Sequence, residues 1–338
     1  MSDHIELRSD TFTTPTPEMR RAMADAEVGD DEYGEDPTVN RLQSLAAGLL
    51  GTEAALYVPS GTMANQLAIR VLSRPGTEVL CPARSHVHQY ELAASPQNSG
   101  VQLHPLWDVP DGITAAIEGS RDEFPPVSML VLENTYMAMS GAPTAADEMR
   151  TLVRLARAGD LDVHVDGARI WNAAAATGEA PSALIGGADT VMFCLSKGLG
   201  APVGSVLCGA ADVIAEARRQ RRRLGGGMRQ AGVIAAAGVV ALETMVERLA
   251  DDHERAHRLA EAMADRWSGS VDPAIVRTNI VCARLEKLPD DFIARLAGLG
   301  VRTGTIDPRT VRLVTHKDVD DDDIAGVIKA FDQLAADR

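Results

Sequence analysis

Five short apolar runs, each ending in polar or glycine residues, constrain the fold of this chain more than any other feature. They fall at 54–58, 78–81, 127–132, 163–165 and 190–194. They end in Pro59-Ser60-Gly61, Pro82, Glu133-Asn134, Asp166-Gly167 and Ser196-Lys197 respectively. Each run has the length of a buried strand, and helical stretches lie between them. Such alternation predicts an α/β fold in which βα units join a mostly parallel sheet. Ligands of open parallel sheets gather beyond the carboxyl ends of the strands. The polar residues after each run are therefore the candidates for chemistry.

The flanking segments divide the chain into three parts. Residues 1–45 read as an N-terminal arm with a helix near 18–26 and an acidic turn at 29–37. Residues 46–248 form the large domain. Residues 249–338 form a small α+β domain, with strands near 275–284 and 311–315 and a final helix after the acidic run 320–323. Carboxylates there favour the helix N-terminus. One or two long helices cover 231–265 and connect the domains.

Lys197 is the most telling of the strand-end residues. It stands in Ser196-Lys197-Gly198-Leu199-Gly200-Ala201-Pro202, where small and rigid residues let the backbone turn closely around a ring. A lysine amine attacks carbonyls only when neutral. Asp166 ends an earlier strand, and a buried carboxylate can keep a pyridine-type ring nitrogen protonated. Ser60-Gly61-Thr62 opens a helix directly after the first strand. Amides at a helix N-terminus bind phosphate, aided here by the glycine and the Thr62 hydroxyl.

With these residues in place, the chain resembles the low-specificity L-threonine aldolase family, within the fold type I pyridoxal-phosphate enzymes. The resemblance rests on Arg8-Ser9-Asp10-Thr11, Gly29-Asp30-Asp31, Tyr33 to Thr38, Val58 to Met63, Leu132 to Thr135 and Asp166 to Arg169. It continues through Ser196 to Ser205, Gly225 to Gly232 and Arg312 to His316. It implies a seven-stranded large domain with a smaller α+β domain, and pyridoxal 5'-phosphate as cofactor. Lys197 would carry the cofactor, Asp166 would pair with its ring nitrogen, and Gly61 and Thr62 would hold its phosphate. Ser9, Arg169 and Arg312 would bind the substrate carboxylate, for which planar guanidinium groups are suited. Arg169 would also touch the cofactor. His86 would stack on the ring and serve as a base. Arg229 would reach the phosphate region from a neighbouring subunit of a homodimer or homotetramer with shared active sites. The implied reaction is retro-aldol cleavage of L-threonine, L-allo-threonine or a related β-hydroxy amino acid to glycine and an aldehyde.

Tyr136 departs from the family, which commonly has histidine at this position, where it is held to contact the substrate β-hydroxyl. A phenol with pKa near 10 is a poor base at neutral pH. Tyr136 remains a catalytic candidate, and a pyridoxal-phosphate β-eliminating lyase remains the second reading. The stretch 93–98 also lacks the family's glycine-rich continuation.

The remaining features bound partners and location. The formal net charge is −15, which opposes binding to nucleic acid or anionic lipid. The basic run Arg218-Arg219-Gln220-Arg221-Arg222-Arg223 reads as a solvated helix end. The four cysteines, Cys81, Cys194, Cys208 and Cys282, form no CxxC pair, so neither a disulfide framework nor a metal site is expected. The longest apolar run, 231–242, is shorter than the about 20 residues of a membrane span. The start of the chain lacks a signal-peptide pattern, and a cytoplasmic location is expected.

Overall fold

The computed structural model describes residues 4–119 and 123–336. Residues 1–3 and 337–338, the outer ends of the expected arm and small domain, lie outside the described residues.

A seven-stranded sheet organises the large domain. Its order is Ala54–Val58, Ser205–Gly209, Thr190–Cys194, Asp162–Asp166, Val127–Glu133, Glu78–Pro82 and Gln102–Leu106. Only Ser205–Gly209 runs antiparallel to its neighbours. All five runs read from the sequence are strands of this sheet. The two additional strands carried weaker signals. Gln102–Leu106 is polar and contains Pro105, which suits the sheet edge it occupies, where no ladder bond is lost. Ser205–Gly209 is wholly buried but lies close behind the lysine loop.

Helix starts follow local capping chemistry. Thr16 accepts from the Met19 N–H and opens Pro17–Ala24. Asp36 accepts from the Val39 N–H and opens Pro37–Leu50. Both helices begin with proline, whose fixed φ suits the first turn. Ser60 accepts from the Met63 N–H and opens Gly61–Leu72. The connecting region holds two helices, Gly232–Thr244 and Leu249–Arg266.

The small domain has its own core. Trp267, Phe292 and Phe331 pack edge-on or tilted with centroids 5.3–6.2 Å apart. Leu7 and Ile5 belong to this core, because Ile5–Glu6 pairs in parallel with Val301–Arg302. The N-terminal arm is thus shared: its first strand joins the small domain, and Pro37–Leu50 packs into the large core. A three-stranded antiparallel sheet of Gly304–Asp307, Thr310–Val314 and Ile280–Arg284 completes the unit.

The basic run is a solvated helix end only in part: Arg219, Arg222 and Arg223 are exposed, but Arg221 is not. Arg221 is 1% exposed and donates to the Tyr57 carbonyl and to Asp31, each at 2.7 Å. Arg218 reaches Asp31 and Gln43, and Arg222 reaches Glu32. Arg218, Arg221 and Arg222 dock onto Asp31 and Glu32 of the acidic turn at 29–37, carboxylates that sequence distance had hidden, while Arg219 pairs locally with Glu216. The residues at 92–93 show what the missing glycines mean: Leu92 and Ala93 hold φ of 53° and 58°, the left-handed region that glycine occupies at lower cost.

Among the described residues, no helix is long and apolar enough to cross a membrane. All four cysteines are free thiols, and burial raises the Cys81 pKa to about 11.

Candidate active site

The carboxyl ends of four strands converge on one cavity. Val58 leads into Pro59 and Ser60, and the register pairs Glu133 with Asp166 and Asp166 with Met192. The cavity is lined by these strand ends together with Gly61, Thr62, Asn65, His86, Thr135, Met137, Arg169, Cys194, Ser196 and Lys197. Lys197, Asp166, Gly61, Thr62, His86 and Arg169, separated by up to 136 residues in the chain, therefore meet as expected.

Lys197 sits in a tight turn pinned by Thr13, whose hydroxyl donates to the Lys197 carbonyl at 3.2 Å. Its ammonium acts electrostatically on both Asp10 and His86. Opposite, the first turn of Gly61–Leu72 leaves the N–H groups of Gly61 and Thr62 without intrahelical partners. The macrodipole adds partial positive charge there. Ser196, beside the lysine, lines the same cavity and was not singled out from the sequence.

Behind these groups lies a buried polar network that sequence reasoning missed. The Asn65 amide donates to Asp166 Oδ2 at 2.7 Å and to Glu91 Oε1 at 2.8 Å. Its oxygen lies 3.0 Å from His164 Nε2, and His164 Nδ1 lies 2.8 Å from Thr190 Oγ1. Two carboxylates accept from Asn65, so its NH2 must face them and its oxygen must face His164. His164 Nε2 then carries the proton and Nδ1 accepts from Thr190. Burial drives the His164 pKa down to about 4, consistent with a neutral ring. A second donor, the Ala168 N–H at 3.1 Å, completes the hold on Asp166. The one available signal was position: Asn65 stands one helical turn beyond Gly61, on the face turned toward the sheet.

His86 Nδ1 lies 2.9 Å from Glu91 Oε1. Burial lowers its pKa, but the Glu91 hydrogen bond and the charges of Asp166 and Glu91 outweigh this, and the net shift is upward. His86, Glu91 and Asp166 could hold a metal ion by proximality of their ligand atoms. The Asn65 amide bridges the two carboxylates, so the group is closed by hydrogen bonds within the protein. Glu133 bonds two loops: Oε2 accepts from the His86 N–H at 2.8 Å and Oε1 from the Met137 N–H at 2.9 Å. Burial and the nearby Asp166 charge push its pKa up to about 7.

Several expected residues stand elsewhere. Ser9 does not line the cavity. Its hydroxyl accepts from the Thr11 N–H at 3.3 Å and caps the turn Asp10–Phe12. That cap aims the next residue, and it is Asp10 that reaches the site. Asp10 Oδ2 and Oδ1 accept from Arg169 Nε and Nη2 at 2.8 and 2.6 Å, and Asn279 adds a bond at 3.2 Å. Burial opposes the Asp10 charge, yet Arg169 dominates and holds the carboxyl well below the usual range. The Nε–Nη2 edge of Arg169, which the sequence reading assigns to the substrate carboxylate, is therefore occupied by Asp10. Arg312 donates from Nη2 to the Arg8 carbonyl at 2.9 Å, and its Nη1 lies 3.2 Å from Met137 Sδ. Its buried Nε has no hydrogen-bond partner. Arg229 is exposed and pairs with Asp30 at 3.3 Å, away from the cavity of its own chain. Tyr136 also stays out of the cavity lining. Its backbone bridges to Ala142, and its ring lies near Arg84 and Cys81. Burial and Glu133 raise its pKa further above the phenol value.

Comparison with known proteins fits this geometry. The model of the family described as beta-eliminating lyase matches residues 6–287. The chain belongs to the beta-eliminating lyase family. Among relatives of this family member, the low specificity L-threonine aldolase of Escherichia coli strain K12 is 38% identical over 330 residues, covering 96% of this chain and 97% of that protein. Low-specificity L-threonine aldolase 1 of Arabidopsis thaliana is 36% identical over 342 residues, covering 97% and 96%. A solved threonine aldolase structure from Leishmania major superposes with a TM-score of 0.83 at 18% identity, covering 98% of this chain and 99% of that one. That likeness concerns the fold, and it agrees with the expected fold type I arrangement.

Proposed function

We propose that this beta-eliminating lyase family member is a pyridoxal-phosphate-dependent aldolase that cleaves L-threonine, L-allo-threonine or a related β-hydroxy amino acid to glycine and an aldehyde. One observation carries the reading: an amine, a buried carboxylate and a free helix N-terminus stand around one cavity, at the ends of three strands. The relatives named as L-threonine aldolases support the choice of substrate.

This donor set fits the cofactor. Lys197 would hold it through the amine, Asp166 would keep its ring nitrogen protonated, and Gly61, Thr62 and Ser196 would receive its phosphate. The chemistry supplied by bound pyridoxal phosphate is that of an electron sink for the pair released at Cα. The chain does the rest. Arg312 Nε and the Nη1 edge of Arg169 bind the substrate carboxylate and orient the Cα–Cβ bond. His86, its Nδ1 fixed by Glu91, takes the β-hydroxyl proton, and its raised basicity favours that transfer. The C–C bond breaks as the β-carbon becomes a carbonyl, the aldehyde leaves, and Cα takes up a proton to give glycine. Asp166, held by Asn65 and Ala168, supplies preorganised negative charge throughout.

The active site belongs to a homodimer or homotetramer in which Arg229 serves the neighbouring subunit's phosphate region. Its exposure beside Asp30 supports this placement. The four free thiols support a reducing, cytoplasmic location.

The test is incubation of the holoenzyme with L-threonine, L-allo-threonine and phenylserine, with aldehyde and ammonia assayed separately. Aldehyde and glycine in equal amounts are expected. Ammonia without aldehyde would overturn the aldolase reading in favour of β-elimination.

A further inference from the structure

The resemblance to the threonine aldolase family implies a β-hydroxyl contact at position 136, but Tyr136 is not among the cavity-lining residues. Its neighbours on either side, Thr135 and Met137, line the wall instead. Thr135 is 5% exposed, and its Oγ1 is buried with no hydrogen-bond partner. A hydroxyl left unpaired in the interior costs about 1–3 kcal/mol. In a lined cavity, a bound ligand can supply the missing partner.

The position of Thr135 says which ligand group that is. Glu133 accepts from the backbones of both His86 and Met137, so it ties the His86 loop and the Thr135 loop to one side of the cavity. The carboxylate falls to Arg169 and Arg312, oriented by Asp10 and by the Arg8 carbonyl respectively, so it does not call on Thr135. The group deprotonated beside His86 is the β-hydroxyl. A threonine hydroxyl can both donate to and accept from an alcohol, as this contact requires. Met137 beside it supplies an apolar surface for the β-substituent.

We infer that Thr135 is the residue that recognises the substrate β-hydroxyl in this chain, in place of the neighbouring position 136. Thr135 touches the substrate and sets specificity, and Tyr136 shapes the wall from behind. The inference rests on the aldolase reading for its substrate.

The experiment compares the holoenzyme with Thr135→Val, which keeps the shape and removes the hydroxyl, and with Thr135→Ser, which restores the hydroxyl. Two readouts are taken. The first is kcat/KM for aldehyde release from L-threonine. The second is the affinity for L-threonine against L-2-aminobutyrate, the same molecule with hydrogen in place of the hydroxyl, read from the change in cofactor absorbance. Thr135→Val should lower kcat/KM about tenfold, the worth of one good hydrogen bond. It should also weaken threonine binding while leaving 2-aminobutyrate binding unchanged, and Thr135→Ser should recover most of both. Unchanged discrimination in Thr135→Val, or equal weakening of both ligands, would overturn the assignment. Absence of aldehyde from the unaltered enzyme would instead overturn the aldolase reading, because the binding comparison tests Thr135 separately.

Discussion

Replacing Asn65 by leucine tests whether the buried network behind the cavity holds the site together. Leucine has the same branched heavy-atom skeleton as asparagine, with two methyl groups in place of the amide O and NH2, so the change removes hydrogen bonds and leaves no cavity. Asp166 Oδ2 and Glu91 Oε1 each lose a donor, and the His164 Nε2–H faces a methyl group in place of an oxygen. All three groups are buried. His164 is left without its acceptor, whereas Asp166 keeps the Ala168 N–H and Glu91 keeps Gln66 and His86. At about 1–2 kcal/mol for each of the three groups, the expected loss is about 3–6 kcal/mol. Unfolding entropy near about 2.1 cal/mol/K per residue gives about 0.7 kcal/mol/K for this chain of 338 residues, so Tm should fall by about 4–8 °C. Calorimetry of the holoenzyme and of Asn65→Leu measures this directly. Cofactor affinity should fall as well, because Asp166 loses the stronger of its two tethers. An Asn65→Leu protein with unchanged Tm and unchanged cofactor affinity would refute the network as a support of Asp166.

Three further outcomes are expected. Lys197→Ala should abolish the visible absorbance of the holoenzyme and its aldehyde release together; a band that persists would show that another residue holds the cofactor. Glu133 has a folded pKa of about 7, above an unfolded value near 4.3, so the folded state binds more protons between these values. Its contribution is fully present below about pH 4 and is lost as pH rises through 7; the Tm difference between Glu133→Gln and the unaltered protein should therefore drift in favour of the variant over that window. Arg221→Met takes the closer of two arginines from buried Asp31, leaving it the 3.4 Å contact with Arg218, and should cost about 3 kcal/mol, whereas Arg219→Ala, on the exposed face of the same helix, should change stability by less than about 0.5 kcal/mol; thermal denaturation of both checks the contrast.

The sequence by itself determined the architecture and the reactive centre. Five buried-strand patterns with polar ends specify a mostly parallel sheet, because strand length and apolar content are local properties. Lys197, Asp166 and the Gly61-Thr62 turn follow such strands, and the topology of a parallel sheet brings strand ends together whatever the side-chain detail. The tertiary structure alone decided which partners these residues have. Asp10 occupies Arg169 across 159 residues, Asn65 reaches Asp166 across 101, and Arg221 reaches Asp31 across 190. No local periodicity carries such pairings. The wall at 135–137 shows the same division at the smallest scale. In an irregular loop a shift of one residue exchanges the side chain that enters the cavity for the one that leaves it. Only the packed backbone decides that Thr135 and Met137 face in while Tyr136 faces out.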